Sequence, residues 1–277
     1  MNTQQFRLSN SNRTKMVAKK IGQRRRFMKT TLVAGLLGVL LVSGAWAGQG
    51  NAGNPGVIPP QASYGGMTYA EWSVEWWKWL IGTPVDENPF GGNKCAFGAS
   101  DKNGKVLFLV SDIHSSNTTT IRDCNIPVGK ALLFPIYNTE CSNVEGDPFF
   151  LDLTATHPEE CVEKFFDASF GFRTVRNLRV EIDGTLLRNL EDYLFQSEIF
   201  DFALPPEGDN YLEVDADACD NPDGCQAIAE GYWIMLPPLS KGHHTIEIYA
   251  ETWIVNPPTL RRYVHTLYEL DVVAGKK

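Results

Sequence analysis

From residue 105 to residue 273 the chain is a succession of short apolar runs. "KVLFLVSD", "TTTIRDC", "KALLFPIY", "LRVEIDGTLL" and "IFDFALP" are rich in β-branched, aliphatic and aromatic residues and are separated by Gly, Pro, Asn and Asp. That is the pattern of strands joined by turns. "GYWIMLPPL", "HHTIEIYAETWIV" and "RRYVHTLYELDVV" are linked by "SKG" and "NPPT", turn-sized connections that predict a three-stranded antiparallel meander. Two stretches change to a helical period. Thr68 followed by Glu71 is a capping-box signature, so a helix is expected from there to about Ile81, before Gly82 and Pro84. "PEECVEKFFDASFGF", residues 158–172, is the other, with Pro158 suited to a first turn. The expected fold is an all-β sandwich or jelly-roll-like domain with a buried N-terminal tryptophan-rich helix and one or two further short helices.

"EWSVEWWKWL" places four tryptophans within eight residues. On a helix, Tyr69, Trp72, Trp76, Trp79 and Leu80 fall together, and Trp77, Val74 and Ile81 extend the apolar arc beyond about 200°, more than a helix lying on one surface needs. Glu71, Glu75 and Lys78 are confined to a narrow stripe, with Glu75 and Lys78 spaced to pair. Such a helix should be wedged between two surfaces. An aromatic platform for sugar rings is the alternative reading, but it needs its rings on one exposed face. Trp77 and Trp79, at the ends of the arc, are the candidates for exposure.

The first 47 residues carry nine basic residues and no acidic one, then the uncharged run "TTLVAGLLGVLLVSGAWA". Ala45-Trp46-Ala47 fits a small-x-small cleavage site, and the apolar core is short against the roughly 20 residues of a bilayer-spanning helix. Residues 1–47 therefore read as a signal peptide, with Met16 as a plausible start. Arg24, Arg25, Phe27 and Lys29 have twin-arginine spacing; ordinary Sec export is the alternative. Residues 48–67 are Gly, Pro and Asn rich and read as a linker or arm, and residues 68–277 as a single domain. The expected location is the periplasm or the extracellular space.

Setting the leader aside changes the charge. The chain has 25 basic and 33 acidic residues, so the remainder keeps 16 basic ones and a net charge of −17. Such a surface repels phosphate backbones and anionic membranes, which argues against nucleic acid as a partner. All six cysteines, Cys95, Cys124, Cys141, Cys161, Cys219 and Cys225, follow the leader. An even count in an exported chain reads as disulfides. Their spacing lacks a zinc pattern. Sequential pairing, 95 with 124, 141 with 161 and 219 with 225, is expected because each pair brackets a compact loop, although fifteen pairings are open.

Several residue groups are candidates for function. Alternation sets Ile246, Ile248 and Ala250 against Glu247, Tyr249, Glu251 and Trp253, and Val264, Tyr268, Leu270 and Val272 against Tyr263, His265 and Glu269. If the second sets share a face, Tyr249, Trp253, Tyr263 and His265 stand among three carboxylates. That mixture suits a carbohydrate, and it equally suits a surface covered by the tryptophan helix. Asn138 and Glu140, same-face neighbours beside Cys141, form a candidate polar site, with strand-end hydrogen bonding as the plain alternative. Asp215, Asp217, Asp220 and Asp223 form an acidic loop able to hold calcium weakly, or simply a solvated one. No other cofactor is indicated. His243 and His244 are adjacent and point opposite ways in a strand, and His114 and His157 stand in polar loops. HExxH, GxSxG, P-loop and GxGxxG signatures are absent. Glu71 and Glu75 imitate a glycosidase pair only in spacing.

"YAEWSVEWWKWL", "CNIPVGKALLFPIYNTECS" and "GYWIMLPPLSKGHHTIEI", in that order, resemble a family of exported prokaryotic proteins of unassigned function. The resemblance covers most of the chain after the leader. It implies a shared disulfide-tied β-fold with the tryptophan helix as a fixed part, and supplies no activity. The expected function is an exported, non-catalytic protein that binds a glycan or cell-surface component. The alternatives are an extracytoplasmic polysaccharide hydrolase and a structural or assembly subunit.

Overall fold

A computed structural model describes residues 54, 56–90, 95, 98–99, 104–144, 175–205, 209–215, 217–220, 224–253 and 261–274. The helix α1 spans Tyr69–Ile81, and the strands are β1 Gly98–Ala99, β2 Val106–Phe108, β3 Ile113–His114, β4 Thr120–Pro127, β5 Ala131–Ser142, β6 Arg176–Ile182, β7 Thr185–Leu186, β8 Leu194–Gln196, β9 Phe200–Phe202, β10 Cys225–Leu236, β11 Gly242–Trp253 and β12 Arg261–Val273. Among the described residues they form two six-stranded sheets. In the first, β1-β2-β5-β10-β8 are neighbours in that order and β9 also pairs with β10; in the second the order is β3-β12-β11-β6-β7, with β4 also on β12. The pairings are antiparallel except β2 with β5 and β4 with β12. The expected helix at residues 158–172 lies outside the described residues.

Helix α1 begins and ends where its local chemistry dictates. The Thr68 side chain accepts from the Glu71 amide, the Glu71 carboxylate accepts from the Thr68 amide, and Gly82 caps the C-terminus. Trp72, Trp76 and Trp77 are buried and Trp79 is half-buried. The helix packs on β10, β8, β9 and β1. Tyr69 stacks on Phe195 of β8 with ring centroids 4.8 Å apart, and Trp76 meets Trp233 of β10 edge to face. On the other side, Trp72 Nε1 donates to the Tyr64 carbonyl and the Tyr69 hydroxyl donates to that of Ile58. Residues 56–67 thus fold back over the helix, and the Asn54 side chain bonds both backbone groups of Arg188. The described part of the segment read as an arm, residues 54 and 56–67, docks on its own chain.

The floor beneath the helix is made of small residues. Alternation along β10 puts Gly231, Ala229 and Ala227 on the same face as Trp233, which leaves room for the indoles. Gly231 is further constrained by β5. A Cβ at this position would lie 2.5 Å from Asn138 Cβ, 2.8 Å from its Cα and 2.9 Å from the Tyr137 carbonyl oxygen. Two of these are backbone atoms, which cannot swing aside. Gly231→Ala is therefore expected to destabilise by about 1–3 kcal/mol, read as a fall in Tm of roughly 2–4 °C per kcal/mol. An unchanged Tm would show that the two strands are less tightly apposed than this.

The second sheet departs from the expected meander. β11 and β12 pair in antiparallel register from Gly242 with Val272 to Trp253 with Arg261, but β10 belongs to the first sheet, between β5 and β8. The chain changes sheets at Pro237-Pro238, neither of which can donate to a ladder. β10 is buried along most of its length, as a strand covered on both faces must be, whereas β11 and β12 alternate.

Disulfides join Cys95 to Cys124 and Cys219 to Cys225. Cys141 is also disulfide-bonded; its expected partner, Cys161, lies outside the described residues. The bonds fit an oxidising, exported environment. Among the described residues no helix is long and apolar enough to cross a membrane.

Candidate functional site

The alternation expected in β11 and β12 places their side chains as read. Ile246, Ile248, Ala250, Val264, Tyr268, Leu270 and Val272 are buried, while Glu247, Tyr249, Tyr263, His265 and Glu269 are half-buried. Glu251, assigned to the second set, is itself buried, next to a register shift between Tyr249 and Glu251. Register brings these side chains into rows. Tyr249 stands opposite Arg179 of β6 on one side and His265 of β12 on the other. Glu251 stands between Arg176 and Tyr263, and Tyr263 pairs onward with His114 of β3. Helix α1 packs on strands of the first sheet, so it is not the cover considered for this face.

The first row is bonded throughout. Arg179 Nη2 donates to Glu247 Oε1 at 2.5 Å, and His265 Nε2 lies 3.0 Å from the same oxygen. The other imidazole nitrogen of His265 is 3.0 Å from Thr119 Oγ1 and 3.2 Å from Asn117 Oδ1. The Tyr249 hydroxyl donates to Glu251 Oε1 at 2.6 Å. Its ring meets His265 edge to face at 5.3 Å and has the Arg179 guanidinium 5.9 Å from its centroid. The result is a ring face flanked by a guanidinium, an imidazole and two carboxylates, held by strands. Trp253 pairs with Arg261 in the ladder, and its side chain lies outside the described residues.

Partial burial pushes the Glu247 carboxyl up, but hydrogen bonds and charge from His265 and Arg179 outweigh it and hold the group below the ordinary glutamate range. A depressed carboxyl adds stability above its unfolded pKa and loses it as pH falls through the folded one. Glu247→Gln should therefore lower the urea midpoint at neutral pH, and the gap to wild type should close as the pH drops below about 4. A gap that persists unchanged in acid would mean that Glu247 acts through packing rather than charge.

The other candidates are placed differently. Asn138 and Glu140 stand opposite Gly231 and Ala229 on the helix-facing side of the first sheet; Asn138 is half-buried and Glu140 is 6% exposed. They share a face, as expected, but it is an interior one. Asp215, Asp217 and Asp220 are exposed, and Asp223 lies outside the described residues. Among the described residues no three His, Cys, Asp or Glu side chains are grouped to hold a metal ion.

Sequence reading missed Arg179, which outward alternation in "LRVEI" could have flagged once β6 was known to neighbour β11. It also missed the buried Arg122–Asp112 pair, whose partners are separated by β3. Glu247 and Glu251 are four residues apart on one strand, which spaces their Cα atoms about 13 Å along it. No known protein family, characterised protein or solved structure matches the chain, so neither the motif resemblance nor any relative contributes an activity.

Proposed function

We propose that this chain is an exported β-sandwich protein, with jelly-roll-like character, that binds a glycan or cell-surface component on the outer face of the β6, β11 and β12 sheet, and that this face does no chemistry. The observation that carries the reading is the row Arg179, Tyr249 and His265, with Glu247 and Glu251 bonded into it. An aromatic ring gives a sugar its stacking surface, and carboxylates, a guanidinium and an imidazole give its hydroxyls partners in both directions. The helix tryptophans Trp72, Trp76 and Trp77, by contrast, are buried in the interior, and Trp79 packs against it half-buried. The leader-like residues 1–47, with their twin-arginine spacing, and the disulfides support export to the periplasm or beyond.

A glycan array followed by calorimetry on the best ligand tests the reading. Tyr249→Ala and His265→Ala should each weaken binding by tenfold or more, about 1.4 kcal/mol, with the far-ultraviolet spectrum unchanged. Binding that survives both substitutions would place the ligand elsewhere, and a blank array together with reducing-sugar release would favour the hydrolase.

A further inference from the structure

A second constellation lies at the other end of the same sheet and does not depend on the binding reading. The crossover from β10 to β11 carries Ser240, which is exposed, and four residues later His244 begins to enter the ladder with its side chain 12% exposed. Ser240 Oγ is 3.2 Å from His244 Nε2. On the far side of the ring, His244 Nδ1 is 2.6 Å from Asp183 Oδ2. Asp183 and Gly184 both have positive φ, 49° and 76°, the Asp-Gly turn chemistry expected between β6 and β7. That turn is pinned from both directions: the Thr245 amide donates to Asp183 Oδ1 at 2.9 Å, and the Asp183 amide donates to the Thr245 carbonyl at 3.0 Å.

We propose that Ser240, His244 and Asp183 form an acyl-transfer triad acting on carboxylic esters carried by large, flexible substrates. Such a triad is recognised by geometry and role, not by motif or chain order, so the absence of GxSxG does not exclude it. Asp183 is a positioning residue. Its carboxylate accepts the Nδ1 proton, fixes the tautomer and turns the Nε2 lone pair toward the serine. The same Nε2 lies 3.0 Å from the Ser240 carbonyl oxygen. The ring acts in the tautomer that carries its proton on Nδ1, with Nε2 left to accept from the hydroxyl.

In the reaction the Ser240 oxygen bonds to the ester carbonyl carbon while its proton passes to His244 Nε2. The carbon–alkoxy bond then breaks, and the departing alkoxide takes that proton and leaves as the alcohol. Water gives a proton to Nε2, adds to the acyl carbon and releases the carboxylic acid, and Ser240 recovers its proton. No oxidant or further cofactor is needed. Ser240 is exposed on the sheet crossover, which suits an acyl group presented on a polymer over a small enclosed ligand.

The experiment treats the full exported protein with a fluorophosphonate probe, maps the adduct by mass spectrometry, and measures p-nitrophenyl acetate hydrolysis alongside. A single adduct on Ser240 is expected, lost in Ser240→Ala and in His244→Ala. Asp183→Asn should lower kcat about tenfold or more with KM unchanged, because it acts on the imidazole and not on the ester. Ser240 is exposed, so Ser240→Ala keeps its fold even if changes at Asp183 loosen the turn. No adduct on wild-type Ser240, or equal ester hydrolysis by wild type and Ser240→Ala, overturns the proposal. Neither result bears on glycan binding, so the two readings fail separately.

Discussion

Trp76→Ala is expected to remove about 3–5 kcal/mol of stability, the range for deleting a large aromatic side chain from a close-packed interior. Trp76 has no exposed surface, and its indole meets Trp77, Trp79 and Trp233 edge to face at centroid distances of 5.1, 5.9 and 5.3 Å. Its Nε1 also donates to the Leu109 carbonyl at 2.8 Å, which ties α1 to the segment leaving β2. Alanine would leave that buried carbonyl short of a donor as well as opening a cavity. The loss is a large share of the roughly 5–15 kcal/mol that a folded domain commands. Trp79, half-buried, is the control, and Trp79→Ala should cost distinctly less. Urea unfolding of the two variants reads the difference. Equal midpoints would mean that the helix is not the buttress its burial implies.

The sequence determined the helix because its determinants are local. The Thr68 and Glu71 box, the Gly82 stop and the width of the apolar arc all lie within fifteen residues, and none depends on which sheet lies beneath. Alternation in β11 and β12 was equally legible, since each has one buried face. The partners of β10 are not legible in the sequence, because a strand buried on both sides carries little face information and adjacency in sequence is not adjacency in space. Its neighbours β5 and β8 lie far from it along the chain. The proposed triad is illegible in the sequence for a related reason. Ser240 and His244 are close in sequence, but Asp183 arrives on another hairpin, and only the β6 and β11 register brings it within reach.

The "TTTIRDC" segment shows a further limit. Alternation alone puts Arg122 with Cys124 on one face of β4, and arginine is a residue normally assigned to solvent. In the fold that face is the interior, and Arg122 is fully buried against Asp112 at 2.6 Å. The charge is accommodated by specific partners. Arg122 also donates to the Pro89 carbonyl at 2.9 Å, and the Asp112 amide donates to Thr266 Oγ1 at 3.1 Å. The Tyr268 ring lies 5.9 Å from the guanidinium, and its hydroxyl donates to the Val110 carbonyl at 3.0 Å. Burial pushes that phenol up to about 12, against the opposing pull of Arg122, so it stays a neutral donor at any ordinary pH. The pair therefore joins β4, β12 and the segment between β2 and β3 inside the core.

Removing one charge from this pair is expected to be far worse than removing both. Asp112→Ala leaves a guanidinium in a low-dielectric interior without its counter-charge and should cost about 3–5 kcal/mol. Asp112→Ala combined with Arg122→Met replaces the pair by apolar volume and should recover a large part of that loss, because the desolvation of both ions disappears with their attraction. Added salt should leave the single variant's deficit nearly unchanged, since buried charges are screened little. A double-mutant cycle in urea, at low and at high salt, measures all three. If Asp112→Ala costs less than about 1 kcal/mol, the range of a surface ion pair, or if the double variant is as unstable as the single, the contact is incidental. The core of the second sheet must then be held by its apolar residues alone.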